Sequence, residues 1–245
     1  DLDGINGVTK VILADTTNSV TGSAGINNLV SGGTVQFVSA GTGTPVLTVG
    51  VKSALTSTAD VLNLALVSTT GFNAGKVIAA NVETVNIAVA DASTTASNGV
   101  THAIELAATS AKTVTVTGNN GLTFTNTSGN TAITLFDASG IVTNDSAATK
   151  TAAATTDAAA DLAVTFASLN TTATADVTIK GGAGNDTLSG TVAKDTISGG
   201  AGADKIYGDN AGTKAVATNS ITAAAATNTV GLVIDGISVT VVLDA

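Results

Sequence analysis

GGAGNDTLSGTVAKDTISGGAGADKIY, residues 181–207, is the stretch that decides the fold. Read in nines it divides into GGAGNDTLS (181–189), GTVAKDTIS (190–198) and GGAGADKIY (199–207). Gly opens each unit, Asp186, Asp195 and Asp204 stand sixth, and Leu188, Ile197 and Ile206 stand eighth. Roughly six residues of turn and three of strand form each unit, so about eighteen residues complete one coil of a parallel β-roll. Glycine permits the positive-φ backbone that lets successive turns nest. The aliphatic at the eighth position points inward and stacks on its counterpart.

Residues one coil apart lie on the same edge, separated by the strand spacing of ~4.8 Å. An ion midway between two such ligands sits roughly 2.4 Å from each, inside the range of about 2.3–2.6 Å for calcium–oxygen contacts. Asp186 and Asp204 stand in this relation, and turns 181–186 and 199–204 are the two full GGxGxD matches. The expected site is their two carboxylates, with turn carbonyls from Gly181, Ala183, Asn185, Gly199, Ala201 and Ala203. Oxygen donors with no His or Cys nearby exclude zinc. Without the ion, stacked carboxylates repel, so folding here is expected to require calcium. Asp195 faces the opposite edge. Its neighbours at one coil, Val177 and Thr213, are not acidic, and Asp176 and Asp209 are out of phase. Asp195 is therefore either the acid of a second, degenerate calcium site or a plain turn residue.

The rest of the chain is charge-poor. Only 11% of its 245 residues are charged, against about a quarter in ordinary globular domains. Yet 44% are hydrophobic, mostly small and β-branched, which excludes ordinary disorder and suits short stacked strands. The net charge of −9, with Lys as the only basic residue type besides a single His, offers no patch for phosphates and excludes nucleic acid as a partner. No Cys is present, so the fold does not rest on disulfides. No segment reaches the ~18 apolar residues of a membrane-spanning helix. The opening DLDGINGVTK is not a basic-then-apolar leader, and the chain reads as a fragment or processed product.

Strand signals recur along the whole length, with alternating apolar positions at Val35/Phe37, Leu47/Val49, Leu62/Leu64/Leu66, Val85/Ile87/Val89 and Ile104/Leu106. Val114/Val116, Leu122/Phe124, Ile133/Leu135, Val164/Phe166 and Val177/Ile179 continue the series, and Ile179 is already in phase with the nonapeptides. The expected fold is all-β: an elongated β-solenoid of stacked strands ending in a short parallel β-roll. Its divisions are a β-rich segment (1–80), an irregular solenoid (81–180), the calcium roll (181–210) and a low-complexity loop with a terminal strand pair (211–245). Residues 148–160 and 211–228 are Ala/Thr-rich loops or short helices.

Other candidates are weak. His102 is the sole histidine, and a lone His in HAIEL builds no zinc triad, so it has a surface or packing role. DLDG (1–4) lacks the glutamate of a helix–loop–helix calcium site and reads as a turn. Asp137 and Asp145 read as turn residues before calcium ligands. GFNAGKV (71–77) and TGTP (42–45) carry no phosphate-loop spacing, and GxSxG is absent. No enzyme constellation emerges.

The repeats GGAGNDTLSG and GGAGADKIYG resemble the RTX family of secreted bacterial proteins. NVETVNIAVADAST (81–94) and LAATSAKTVTVTGNNGLTFTNTSGNTAITLFDASGIV (106–142) look like the lattice-forming region of RTX-type S-layer proteins of Gram-negative bacteria. The resemblance spans roughly residues 81–210. It implies a structural, non-enzymatic cell-surface protein exported unfolded by type I secretion and folded by external calcium. It further implies a lattice with copies of itself, with lipopolysaccharide as a typical anchor. An RTX adhesin domain and the calcium-binding tail of a secreted enzyme are the alternatives.

Overall fold

Strands this short, each apolar on alternate positions, gain little alone and bury their apolar face by stacking on equivalent strands. The computed structural model describes residues 8–13, 23–40, 45–91, 99–127, 129–142, 158–172, 174–191 and 195–208. It also describes the backbone of 216–217, 228–234 and 237–243. The first strands are β1 (Lys10–Leu13), β2 (Ser23–Leu29), β3 (Gly33–Phe37), β4 (Val46–Val51), β5 (Val61–Val67) and β6 (Asn73–Ile78). Next come β7 (Thr84–Ala90), β8 (Thr101–Ala107), β9 (Thr113–Gly118), β10 (Gly121–Asn126), β11 (Leu135–Ile141), β12 (Val164–Ala167) and β13 (Val177–Lys180). The last are β14 (Thr187–Ser189), β15 (Asp195–Ser198), β16 (Lys205–Tyr207), β17 (Val216–Ala217), β18 (Asn228–Ile234) and β19 (Ile237–Leu243).

Odd and even strands separate into two sheets. The first orders β1-β3-β5-β7-β9-β11-β13-β15-β17, and the second runs β2 to β18 in even steps with β19 added at its end. Pairing is parallel between successive coils, and among the described strands only β18 and β19 pair antiparallel. From β1 to β18 the chain therefore crosses between sheets after each strand and winds a two-sheet parallel solenoid, the all-β architecture expected from the repeats. Strand pairing passes unbroken through the boundaries drawn at 80/81, 180/181 and 210/211. No helix among the described residues is long and apolar enough to cross a membrane.

Coil length varies along the axis. Asn63 and Asn86 pair 23 residues apart, Asp137 and Lys180 pair 43 apart, and the tight spacing of 18 between Asp186 and Asp204 belongs to the nonapeptides. Phe124, Phe136 and Phe166 meet in the interior, with Phe136 and Phe166 stacked at 3.9 Å between ring centroids and 9° between planes. In the coils that follow, Ile179, Leu188, Ile197 and Ile206 take the interior positions, all buried.

Nearly every apolar position singled out by alternation is buried, with one slip. Ile133 is buried ahead of β11, but Leu135 lies in the outer row between Thr113 and Thr178. Phe136 takes the inner position, in register with Val114 and Ile179. A shift by one residue exchanges the faces of a strand, and the interior here selects the larger ring over the leucine. His102 is buried against Phe72, with ring centroids 4.5 Å apart. Its Nε2 lies 3.1 Å from Asn120 Nδ2, and burial pushes its pKa down to about 4, so it packs as a neutral ring. The segments around DLDG, TGTP and Asp145 and most of the two low-complexity stretches lie outside the described residues.

Phe136→Ala removes a stacked ring from a closed interior and is expected to cost about 3–5 kcal/mol. Leu135→Ala, on the outer row, should cost under about 1 kcal/mol. Urea unfolding of the two variants in saturating calcium checks this ordering.

Candidate metal centre

The turns 181–186 and 199–204 lie one above the other and are joined by direct bonds. Ala201 donates its N–H to the Gly182 carbonyl at 2.9 Å, and Ala203 donates to Asn185 Oδ1 at 2.8 Å. Asp186 donates its N–H to Asp204 Oδ1 at 2.9 Å, and the Asp186 carbonyl accepts the Lys205 N–H at 2.7 Å. Glycine is required where the turns touch. Gly200 and Gly202 have φ of 96° and 115°, and a Cβ on either would strike the carbonyl of Gly182 or Gly184 below.

Both acids point into the roll. Register on the second sheet aligns His102, Leu122, Val164, Asp186 and Asp204 in one inward column, so the two acids continue a stack of buried side chains. Asp186 is fully buried and accepts the Val164 N–H on Oδ1 at 2.8 Å and the Gly182 N–H on Oδ2 at 2.7 Å. Burial drives its pKa up to about 7 against the pull of those two donors, and the charge of Asp204 adds to the rise. Asp204 is also raised, by burial foremost, and its Oδ2 is buried without a hydrogen-bond partner. Among the described residues, the ion pairs join Lys76 to Glu105 and Lys180 to Asp137 and leave both acids uncompensated.

Two buried carboxylates with one orphaned oxygen fit a hard cation. The glycines mark the room. A Cβ at Gly181 would occupy the space between Asp186 Oδ2 and the Gly199 carbonyl, and one at Gly199 would meet Asp204 Oδ2. Of the carbonyls expected at odd positions, that of Gly199 lies beside a carboxylate. Asn185 contributes its side-chain oxygen to the inter-turn bonds. Ala201 and Ala203 contribute their amides. Ala183 packs half-buried against the core. The even-position carbonyls of Gly182 and Gly184 face the next turn, outside the odd-position set expected from the sequence; the second and fourth glycines of the two GGxGxD turns are their signature.

Asp195 is brought elsewhere. It opens β15 on the first sheet, in register with Val177, and its carboxylate accepts from the Thr191 N–H and hydroxyl. Asp176 is exposed, and Asp137 is bound to Lys180 and Ser139, which hold its pKa below the usual carboxylate value despite the opposing effect of burial.

Residues 180–211 match the family model of the RTX calcium-binding nonapeptide repeat (4 copies). RTX nonapeptide repeats bind calcium. The match covers the clasp and Asp195 and leaves the upstream solenoid outside it. No curated protein matches the chain.

Two outcomes test the centre. Because the folded pKa of Asp186 lies near 7, above its ordinary 3.8, the folded state holds the extra proton between those values. In chelator, stability should therefore fall as pH rises from about 4 to 7, by a few kcal/mol at most. Saturating calcium should reverse the trend, since protons then compete with the ion; thermal melts at pH 5.5 and 7.5 with and without calcium compare the slopes. Replacing Asp186 and Asp204 together with Ala should abolish the calcium-induced gain of β structure at 181–207, seen as a reduced change in circular dichroism titration.

Proposed function

We propose that this chain is part of a calcium-folded extracellular structural protein, a lattice subunit of the S-layer kind, without catalytic activity. The observation that carries the reading is the outer face of the first sheet. Thr34, Asn63, Asn86 and Thr115 stand in one register row across successive strands, with Thr84 and Thr113, and Ala65, Ala88 and Thr117, in rows beside them. Asn86 donates to Asn63 Oδ1 at 2.9 Å, and Asn63 donates to the Gly32 carbonyl at 2.6 Å, so the row is held in place. Between Lys10 at one end of the row and the Asp137–Lys180 ion pair at the other, strands β3 to β9 present short, uncharged side chains at strand spacing. That stretch suits repeated contact with another protein surface, because little charge is desolvated and little side-chain entropy is lost.

The RTX segment supplies the condition for folding. Its stacked acids repel at the low calcium of a bacterial interior and are neutralised outside, which suits export unfolded through a type I system and folding on arrival. Copies of the same chain are the partners in this reading, with lipopolysaccharide as anchor.

A second reading, an adhesin domain, draws on a cavity of about 310 Å³ on the outer face of the second sheet, lined by Asn73, Lys76, Glu105 and Thr125. Imaging the purified protein by electron microscopy decides between them. Ordered sheets in calcium that dissolve in chelator are expected for the lattice; calcium-folded monomers that never assemble would refute it and favour the adhesin.

A further inference from the structure

Far from the RTX segment, one corner of the first sheet repeats the wiring of the Asp186–Asp204 clasp. At the clasp, the upper acid accepts the N–H of the lower one, and the lower acid's carbonyl accepts the N–H of the residue that follows the upper. Asp60 and Glu83 immediately precede β5 and β7 and lie one coil apart on the first sheet. Glu83 Oε2 accepts the Asp60 N–H at 2.9 Å, and the Asp60 carbonyl accepts the N–H of Thr84 at 3.0 Å. These are the same two bonds between the same relative positions, on the opposite sheet.

The two pairs share a second property. Each buries one carboxylate oxygen without a hydrogen-bond partner, Oδ2 of Asp204 in the clasp and Oδ2 of Asp60 here. Asp60 is only 3% exposed, and Glu83, half-buried, adds a second carboxylate at its backbone. Lys112 is the next residue in the corner column and donates its N–H to the Glu83 carbonyl at 2.9 Å, but its side chain is exposed. A buried carboxylate oxygen without a donor is costly, and a cation held between Asp60 and Glu83 removes that cost. Oxygen-only donors select a hard ion of the calcium class over zinc.

We infer that Asp60 and Glu83 hold a divalent cation at a site separate from the nonapeptide repeats. The ion fastens two successive coils of the upstream solenoid as the RTX ion fastens 181–186 to 199–204, so calcium stabilises the upstream coils as well as the nonapeptide repeats.

Calcium binding to the full chain, measured by equilibrium dialysis on unassembled protein, tests the site. Asp60→Asn and Glu83→Gln are each expected to lower bound calcium by one ion per chain, while a chain carrying Asp186→Asn and Asp204→Asn keeps that ion. Glu83→Gln retains an oxygen for the Asp60 N–H, so its effect reads charge rather than folding. Melting gives a second readout: Asp60→Asn should raise the melting temperature in chelator, where it removes an unpaired charge, and lower it in calcium. Unchanged stoichiometry in both single variants, or a rise in melting temperature under both conditions, overturns the proposal.

Discussion

In-register stacking of parallel strands is the constraint on which the rest of this molecule depends. Each coil places its residues directly over equivalent residues of the coil below, at ~4.8 Å. For apolar positions this is favourable: Leu62, Val85, Val114, Phe136, Ile179 and Ile197 form one continuous buried row along the first sheet. For charged positions it is not. Acids that recur at the coil period are forced together inside the roll, where burial already disfavours their charge.

The chain meets that conflict in different ways along its length. On the outside, unlike charges are paired across coils, as Lys76 with Glu105 and Asp137 with Lys180, each at 2.8 Å. Inside, Asp186 and Asp204 continue a column that upstream holds Leu122 and Val164, so the column changes from apolar to acidic where the nonapeptides begin. Backbone donors reach both oxygens of Asp186 and Oδ1 of Asp204, and Asp204 Oδ2 is buried without a partner. The clasp is therefore the point where the column exchanges apolar side chains for buried acids, inside the segment that matches the calcium-binding repeat.

How much of this was legible follows the same physics. The period-two alternation disclosed the strands because burial on one face depends on local order alone, and Leu62, Leu64 and Leu66 are all buried as the pattern requires. Leu135 failed because two apolar residues, Leu135 and Phe136, compete for one inner position, and the choice belongs to Val114 and Ile179 in neighbouring coils. The spacing of Asp186 and Asp204 disclosed their pairing, since the repeat has a constant length. Asp60 and Glu83 carry no such signal: their coil differs in length from the next, and nothing in the local sequence marks them as neighbours.

The amino-acid sequence by itself determined the all-β class, the inward residues apart from the choice between Leu135 and Phe136, the eighteen-residue coil at 181–207 and the calcium character of its turns. Each is written in a short, regular period that one strand or one turn expresses without reference to the rest. Tertiary structure alone decided that the whole described chain is one two-sheet solenoid, and that Asp195 is tied to Thr191 away from the other acids. It also decided which carbonyls face the adjoining turn and which upstream acids are stacked. These depend on coils of unequal length coming into register, and register is set by packing between distant segments rather than by any local pattern.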